Sequence, residues 1–286
     1  EASAQFAIAW EMLREQGRDD TESAGTLLNN WALALSEQPV KAEPLLRRAL
    51  VIASADGSEA SVSPMLLTNV AWTLLDLGRI AEGLVAAERA GVAASRAGAG
   101  AALYRNQLLR ARLYLEAGDL GRAAATLGEF ERGAPELVPP GHNAFAVLHE
   151  LRGLIAAAQG HGEVARAHID QALGMLDPAR PDLRLFRWRM ISVRAMLALG
   201  EGRAPEAVAD AEQALALAQE VAGATSPSYT VGRAQLLMGQ ALLALGRSDQ
   251  ARAALSEAVH HLEGSVGAAH PGYRAARDLL DRAPAR

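Results

Sequence analysis

The sequence predicts an all-α protein built as an array of stacked helix hairpins, and three observations carry that expectation. Hydrophobic residues make up 50% of the 286-residue chain but aromatics only 4%. The apolar mass is therefore mostly Ala and Leu, the best helix formers, while strand-favouring aromatic and β-branched residues are scarce. A second observation is a spacing that recurs five times: a small residue, Gly seven positions later, and another small residue five further on. The sets are Ala71, Gly78, Gly83; Ala111, Gly118, Ala123; Gly153, Gly160, Ala165; Ala195, Gly202, Ala207; and Gly239, Gly246, Ala251. The third is that Ala90, Phe130, Ala172, Ala214 and Ala258 each follow seven residues later still.

The spacing has a direct physical reading. Each central Gly ends a helix in the left-handed conformation that other residues resist. The flanking small residues mark where two helices of a hairpin cross, and large apolar residues such as Val70, Leu74, Leu75 and Leu77 fill the inward slots. Such hairpins bury their faces only by stacking on their neighbours.

In chain order, 1–16 reads as a helix, the second of an upstream repeat. Hairpins follow at 22–55, 62–97, 101–132, 142–176, 182–222 and 227–264, and a capping helix at 270–283 presents Arg274, Arg277, Asp278 and Asp281 on its polar face. The first hairpin lacks the Gly; its turn runs through Ser36-Glu37-Gln38-Pro39, and Pro39 starts the second helix because it needs no intrahelical N–H partner there. Fourteen helices result. Connectors are expected at Gly17–Asp20, Asp56–Ser61, Gly98–Gly100, Gly133–Gly141, Asp177–Pro181, Gly223–Pro227 and Gly264–His270, all too short for interdomain linkers, so 1–286 is expected to be one domain. The chain opens on Glu1 and is expected to be part of something longer.

The small first-helix residues fall at 32, 71, 111, 153, 195 and 239, with intervals of 39, 40, 42, 42 and 44. Together with ARLYLEAGDLGRAAATL around Ala111, Tyr114, Gly118 and Ala123, this resembles the tetratricopeptide repeat family. TLLNNWALAL at 26–35 and GAAHPGYRAARDLL at 267–280 are most similar to the kinesin light chain-like subgroup and its bacterial relatives. The resemblance implies a right-handed superhelical solenoid. It also implies a scaffold that holds a protein or peptide in its concave groove, as the regulatory arm of a larger cytoplasmic signalling protein. A ligand-gated sensor, in which a short peptide or small molecule changes the superhelix pitch, is the alternative.

Chemistry of other kinds finds little support. Net charge is −5, without the concentrated basic footprint of a nucleic-acid binder. The chain has no cysteine, no signal peptide and no long uncharged apolar run, so neither thiolate chemistry nor a membrane partner is expected. His149 and Glu150 begin like a zincin helix, but Gly153 stands where the second His is required. His161 and His168 lack a carboxylate cluster, and His270, before Pro271, reads as a helix cap. GAGAA at 98–102 joins two helices with no strand before it, and Gly264-Ser265-Val266-Gly267 lacks the first Gly of a nucleophile elbow. No metal, cofactor or enzymatic activity is expected, and a monomer is favoured.

Candidate partner-binding residues are those on first helices that do not point inward: Asn29, Asn30, Thr68, Asn69, Trp72, Arg105, Arg112, Glu150, Arg233 and Gln240, with Leu33, Met65, Leu109, Leu154, Ser192, Met196 and Leu236 beside them. Asn30 and Asn69 lead, since they recur one repeat apart and an amide offers both donor and acceptor to an extended backbone. By resemblance, this Asn contacts bound peptide. Equally, both amides could bond to neighbouring helices and fix the stacking. Trp72 is either a groove anchor or the filler of the gap left by Gly83. Trp10, Trp31 and Trp188 are assigned to packing. Asn29, Asn69 and Arg105 partly resemble a carboxylate clamp, which Leu33 and Leu109 argue against. Arg184, Arg187 and Arg194 share a helix face and form a candidate patch for an anionic partner, or simply a solvated face.

Overall fold

The computed structural model describes residues 2–55 and 62–283, and every regular element in them is helical. Contacts divide the chain into two compact units, Glu1–Leu137 and Val138–Arg286.

The amino-terminal unit opens with α1 (Ala2–Glu15). Three hairpins follow: α2 (Glu22–Ala34) with α3 (Pro39–Ala53), α4 (Pro64–Asp76) with α5 (Ile80–Arg96), and α6 (Gly100–Glu116) with α7 (Leu120–Leu137). Local chemistry sets the boundaries. Thr21 caps α2 by accepting the Ala24 N–H, Ser63 caps α4 by accepting that of Met65, and Pro39 and Pro64 occupy first-turn positions. Between α6 and α7, Gly118 has φ 77°, and Asp119 N–H reaches Tyr114 O at 2.8 Å while Gly118 N–H reaches Leu115 O at 2.9 Å. That is the paired-bond closure that satisfies the last carbonyls of a helix.

First helices α2, α4 and α6 lie side by side, each backed by its own second helix. Ala24, Leu28 and Ala32 bury against Ala42, Leu46 and Ala49, and Ala71 and Leu74 against Ala86, Ala87, Leu109 and Leu113. Removing a side chain such as Leu28 from water contributes about 2 kcal/mol. Trp10 and Trp31 pack on this core, and the Trp31 indole N–H donates to Ser3 Oγ at 2.8 Å. The gap at Gly83 is filled by Leu113, whose Cδ2 would lie 2.9 Å from an added Cβ, and not by Trp72.

The carboxy-terminal unit contains α8 (Asn143–Ala158) with α9 (Gly162–Gly174), a 3-10 turn at Pro181–Leu183, α10 (Arg184–Gly200) with α11 (Ala204–Ala222), α12 (Tyr229–Ala244) with α13 (Ser248–Val266), and α14 (Pro271–Arg282). Its crossings are tight: a Cβ on Gly239 would sit 2.6 Å from Leu255 Cδ2, and one on Gly153 would sit 3.0 Å from Ala165 O. Trp188 is buried with Ile191, Ala214, Ala218, Val231 and Ala234.

The expected connectors at Gly17–Asp20 and Asp177–Pro181 fall between helices, while Asp56–Ser61 lies outside the described residues. Some expected loops are partly helical: α6 begins at Gly100, α13 runs on to Val266, and α7 continues past Gly133 and through Pro135 to Leu137. For α7 the reason is an apolar stripe that does not stop at Gly133, since Phe130, Ala134 and Val138 are all buried at four-residue intervals. Among the described residues no helix is long and apolar enough to cross a membrane.

Candidate functional site

The first-helix face of the amino-terminal unit brings three amides together. Asn69 Nδ2 on α4 donates to Asn29 Oδ1 on α2 at 2.9 Å, and Asn29 Nδ2 leans on Asn30 Oδ1 at 3.5 Å. This relay is polarised: Asn30 Nδ2 at one end is a donor and Asn69 Oδ1 at the other an acceptor, neither with a hydrogen-bond partner among the described residues. Asn30 is exposed, and Asn29 and Asn69 are half-buried. Apolar surface flanks them, with Leu33 48% and Met65 61% exposed. Trp72 is half-buried and packs on the core of α4, α5 and α6. Thr68 turns its hydroxyl back to Pro64 O at 2.8 Å. Arg105 on α6 is exposed, whereas Arg112 is mostly covered and donates to Glu116 at 3.0 Å.

Other expected positions are elsewhere. Glu150, expected to face a groove, is fully buried, and Arg189 on α10 grips its carboxylate with Nε 3.2 Å from one oxygen and a second bond to the other. The correction has a simple cause: α10 packs directly on α8, so this slot faces a neighbouring helix. Leu109 is likewise core and not groove surface. On α12, Arg233 is exposed with its guanidinium on the Tyr229 hydroxyl at 3.0 Å, and Gln240 is half-buried.

The arginines of the expected anionic-partner patch on α10 each have an acceptor within their own unit. Arg184 pairs with Glu220 at 2.7 Å, Arg187 donates to Leu176 O at 2.9 Å, and Arg194 grips Asp210 with bonds of 2.6 and 3.0 Å. The Asp210 hydrogen bonds hold the Arg194 pKa above its ordinary value. Helix α11 supplies Glu220 and Asp210, and the segment just after α9 supplies Leu176 O.

Three pairings were not anticipated from the sequence. Asn106 on α6 is 1% exposed and donates to Ala87 O at 2.7 Å, with Gly91 small enough to admit its Oδ1. His149 and His168 meet Nδ1 to Nδ1 at 3.1 Å, joining α8 to α9. The ring centroids are 5.3 Å apart, which places the nitrogens nearly head-on, as a shared N–H···N bond requires. His261 accepts the Ser228 N–H at 3.0 Å. The only signal in the sequence was a polar residue at helical spacing within an apolar stripe. Among the described residues no three or more His, Cys, Asp or Glu cluster to hold a metal.

No family model matches the sequence, and no curated protein does. Solved structures do. NprR in complex with its cognate peptide NprX is 15% identical, matches over 97% of this chain and 81% of its own, and has a TM-score of 0.68. A tetratricopeptide repeat protein from Parabacteroides merdae ATCC 43184 is 14% identical over 98% of this chain and 97% of its own, with a TM-score of 0.59. A chain of the APC/C hetero-tetramer Cut9–Hcn1 is 12% identical over 99% of this chain, with a TM-score of 0.56; this chain spans only 46% of that one. At such identities the likeness is one of fold. This chain is an all-helical array with the fold of tetratricopeptide-like repeat proteins.

Proposed function

We propose that the first-helix face of the amino-terminal unit binds an extended peptide segment of another protein. The observation that carries the reading is the amide relay. The Asn30 and Asn69 slot holds Leu109, Leu151, Val193 and Leu237 in the later repeats, all buried. Packing alone fills that slot with an aliphatic side chain, yet the first two repeats place amides there. An amide pair with a donor left at one end and an acceptor at the other matches the alternating N–H and C=O of an extended backbone. Leu33, Met65 and Trp72 flank the relay with apolar surface for side chains, and exposed Arg105 adds a cation. That NprR is known with a peptide supports the same reading. On this reading the chain is a non-catalytic regulatory scaffold of kinesin light chain-like repeats, acting in a bacterial cytoplasm as a monomer.

The test is selection of a random peptide library on the immobilised full chain, counter-screened against an Asn29→Leu/Asn69→Leu variant. Peptides that bind the wild type and lose at least about tenfold in affinity on the variant are expected. Binders that ignore the substitution would place recognition elsewhere and sink the proposal.

A further inference from the structure

The end of the carboxy-terminal unit is held by two imidazoles acting as acceptors. Ser228, fully buried, caps α12 by accepting the Val231 N–H, and its own N–H donates to His261 Nδ1 on α13 at 3.0 Å. His270, also buried, caps α14: its Nδ1 accepts the Gly272 N–H at 3.0 Å. An imidazolium carries a proton on both nitrogens and cannot accept. Protonation would therefore set an N–H against an N–H in both bonds.

His261 is half-buried and His270 buried, each close to a neighbouring glycine. A Cβ on Gly232 would lie 3.0 Å from His261 Cβ and 2.8 Å from Leu262 Cγ, so α12 and α13 touch at that glycine. A Cβ on Gly272 would lie 3.0 Å from His270 Nδ1. Tyr229 presses its ring edge-on to His270 at 6.1 Å. Charged and titratable groups of three helices surround this joint. His260 and Glu257 share α13 with His261; Arg233 on α12 lies over the Tyr229 ring; Arg274 on α14 donates to Ala269 O. Burial, then His260, hold His261 below its ordinary pKa, with Glu257 acting weakly the other way.

We propose that the α12–α13–α14 joint is a proton-operated latch, closed while His261 and His270 are neutral and opened by their protonation, which frees α14 and the start of α12 from the stack. A group whose pKa is depressed by folding adds stability above its unfolded value, about 6.5, and that contribution is lost as the pH falls below it. For His261, the group with a depressed pKa, that loss sets in as the pH falls below about 6.5.

Hydrogen exchange of the full chain, corrected for intrinsic rates, tests this at about pH 7.5 and about pH 5.5. Protection in 228–232 and 270–282 is expected to fall about five- to tenfold at the lower pH, as loss of helix caps predicts, while α2–α6 stays unchanged. The His261→Asn/His270→Asn variant keeps an acceptor near each Nδ1 position and cannot titrate; its protection at these segments is expected to be independent of pH. Uniform loss across both units, or equal loss in the variant, overturns the latch. Should the variant fold poorly, the wild type decides alone: imidazole nitrogen shifts of His261 and His270 must titrate with the same midpoint as the loss of protection, and any separation of the two refutes the mechanism.

Discussion

The two units share one hairpin scaffold and differ in what fills it. All seven histidines lie between 142 and 270, in the carboxy-terminal unit, and none in the amino-terminal one. Equivalent slots diverge in the same way. Three positions before each first-helix crossing residue stand Asn29, Thr68, Leu108, Glu150, Ser192 and Leu236. In the first repeat this slot carries the Asn29 amide, which bonds across to Asn69 of the next repeat at the half-buried surface. In the second, Glu150 is buried and matched to Arg189. At this slot Asn29 of the first unit leaves polar capacity at the surface, whereas Glu150 of the second ties helix to helix. Backbone architecture fixes neither outcome; a few side chains decide it.

The largest expected effect tests the inward-facing half of that contrast. Glu150→Ala leaves the mostly covered Arg189 guanidinium without its carboxylate, and stripping one partner from a buried pair costs about 3 kcal/mol. Denaturant unfolding of the full chain should show the carboxy-terminal unit destabilised, with hydrogen exchange in α2–α5 unaltered. A change below about 1 kcal/mol would mean that the pair adds no more than a surface bridge.

A smaller effect should be common to both units, because it concerns the scaffold itself. Gly118 and Gly160 have φ of 77° and 80°, where an alanine side chain is strained. Gly118→Ala and Gly160→Ala should each destabilise by about 1 kcal/mol, read as a lower unfolding midpoint in urea with unchanged slope. Strongly unequal costs would show that the turns are not equivalent and that the two units differ in backbone as well as in side chains.

Those glycines also show which features were legible from the start. Turn positions and crossing residues are fixed by spacing along one chain, so Gly118, Gly153 and Gly239 could be placed from sequence. A side chain's partner depends on the rotation of one helix against another, which spacing does not specify. Glu150 and Leu109 were therefore assigned to a groove, although both are buried. The α10 arginines were legible as a shared face, but their acceptors come from α11 (Glu220, Asp210) and from the segment after α9 (Leu176 O). Asn30 and Asn69 led the candidates by their recurrence, with Asn29 among them; that Asn69 bonds to Asn29 became evident only once α2 and α4 were side by side.

The smallest expected effect is the most informative about the outward-facing half. Replacing Asn29 and Asn69 together by leucine removes donor and acceptor at once, so no buried group loses its partner. The later repeats already hold aliphatic residues at the Asn69 slot, which shows that the scaffold accepts them there. Stability of this double variant should stay within about 1 kcal/mol of wild type, while the single Asn69→Leu, which leaves the half-buried Asn29 carbonyl without its donor, should cost more than the double. Thermal unfolding of the two singles and the double closes that cycle. If the double is as damaging as the worse single, the amides are structural clasps and the peptide reading loses its main support. A stable double variant that no longer holds a peptide would separate binding from folding and leave the amides as an outward-facing device on a scaffold that does not need them.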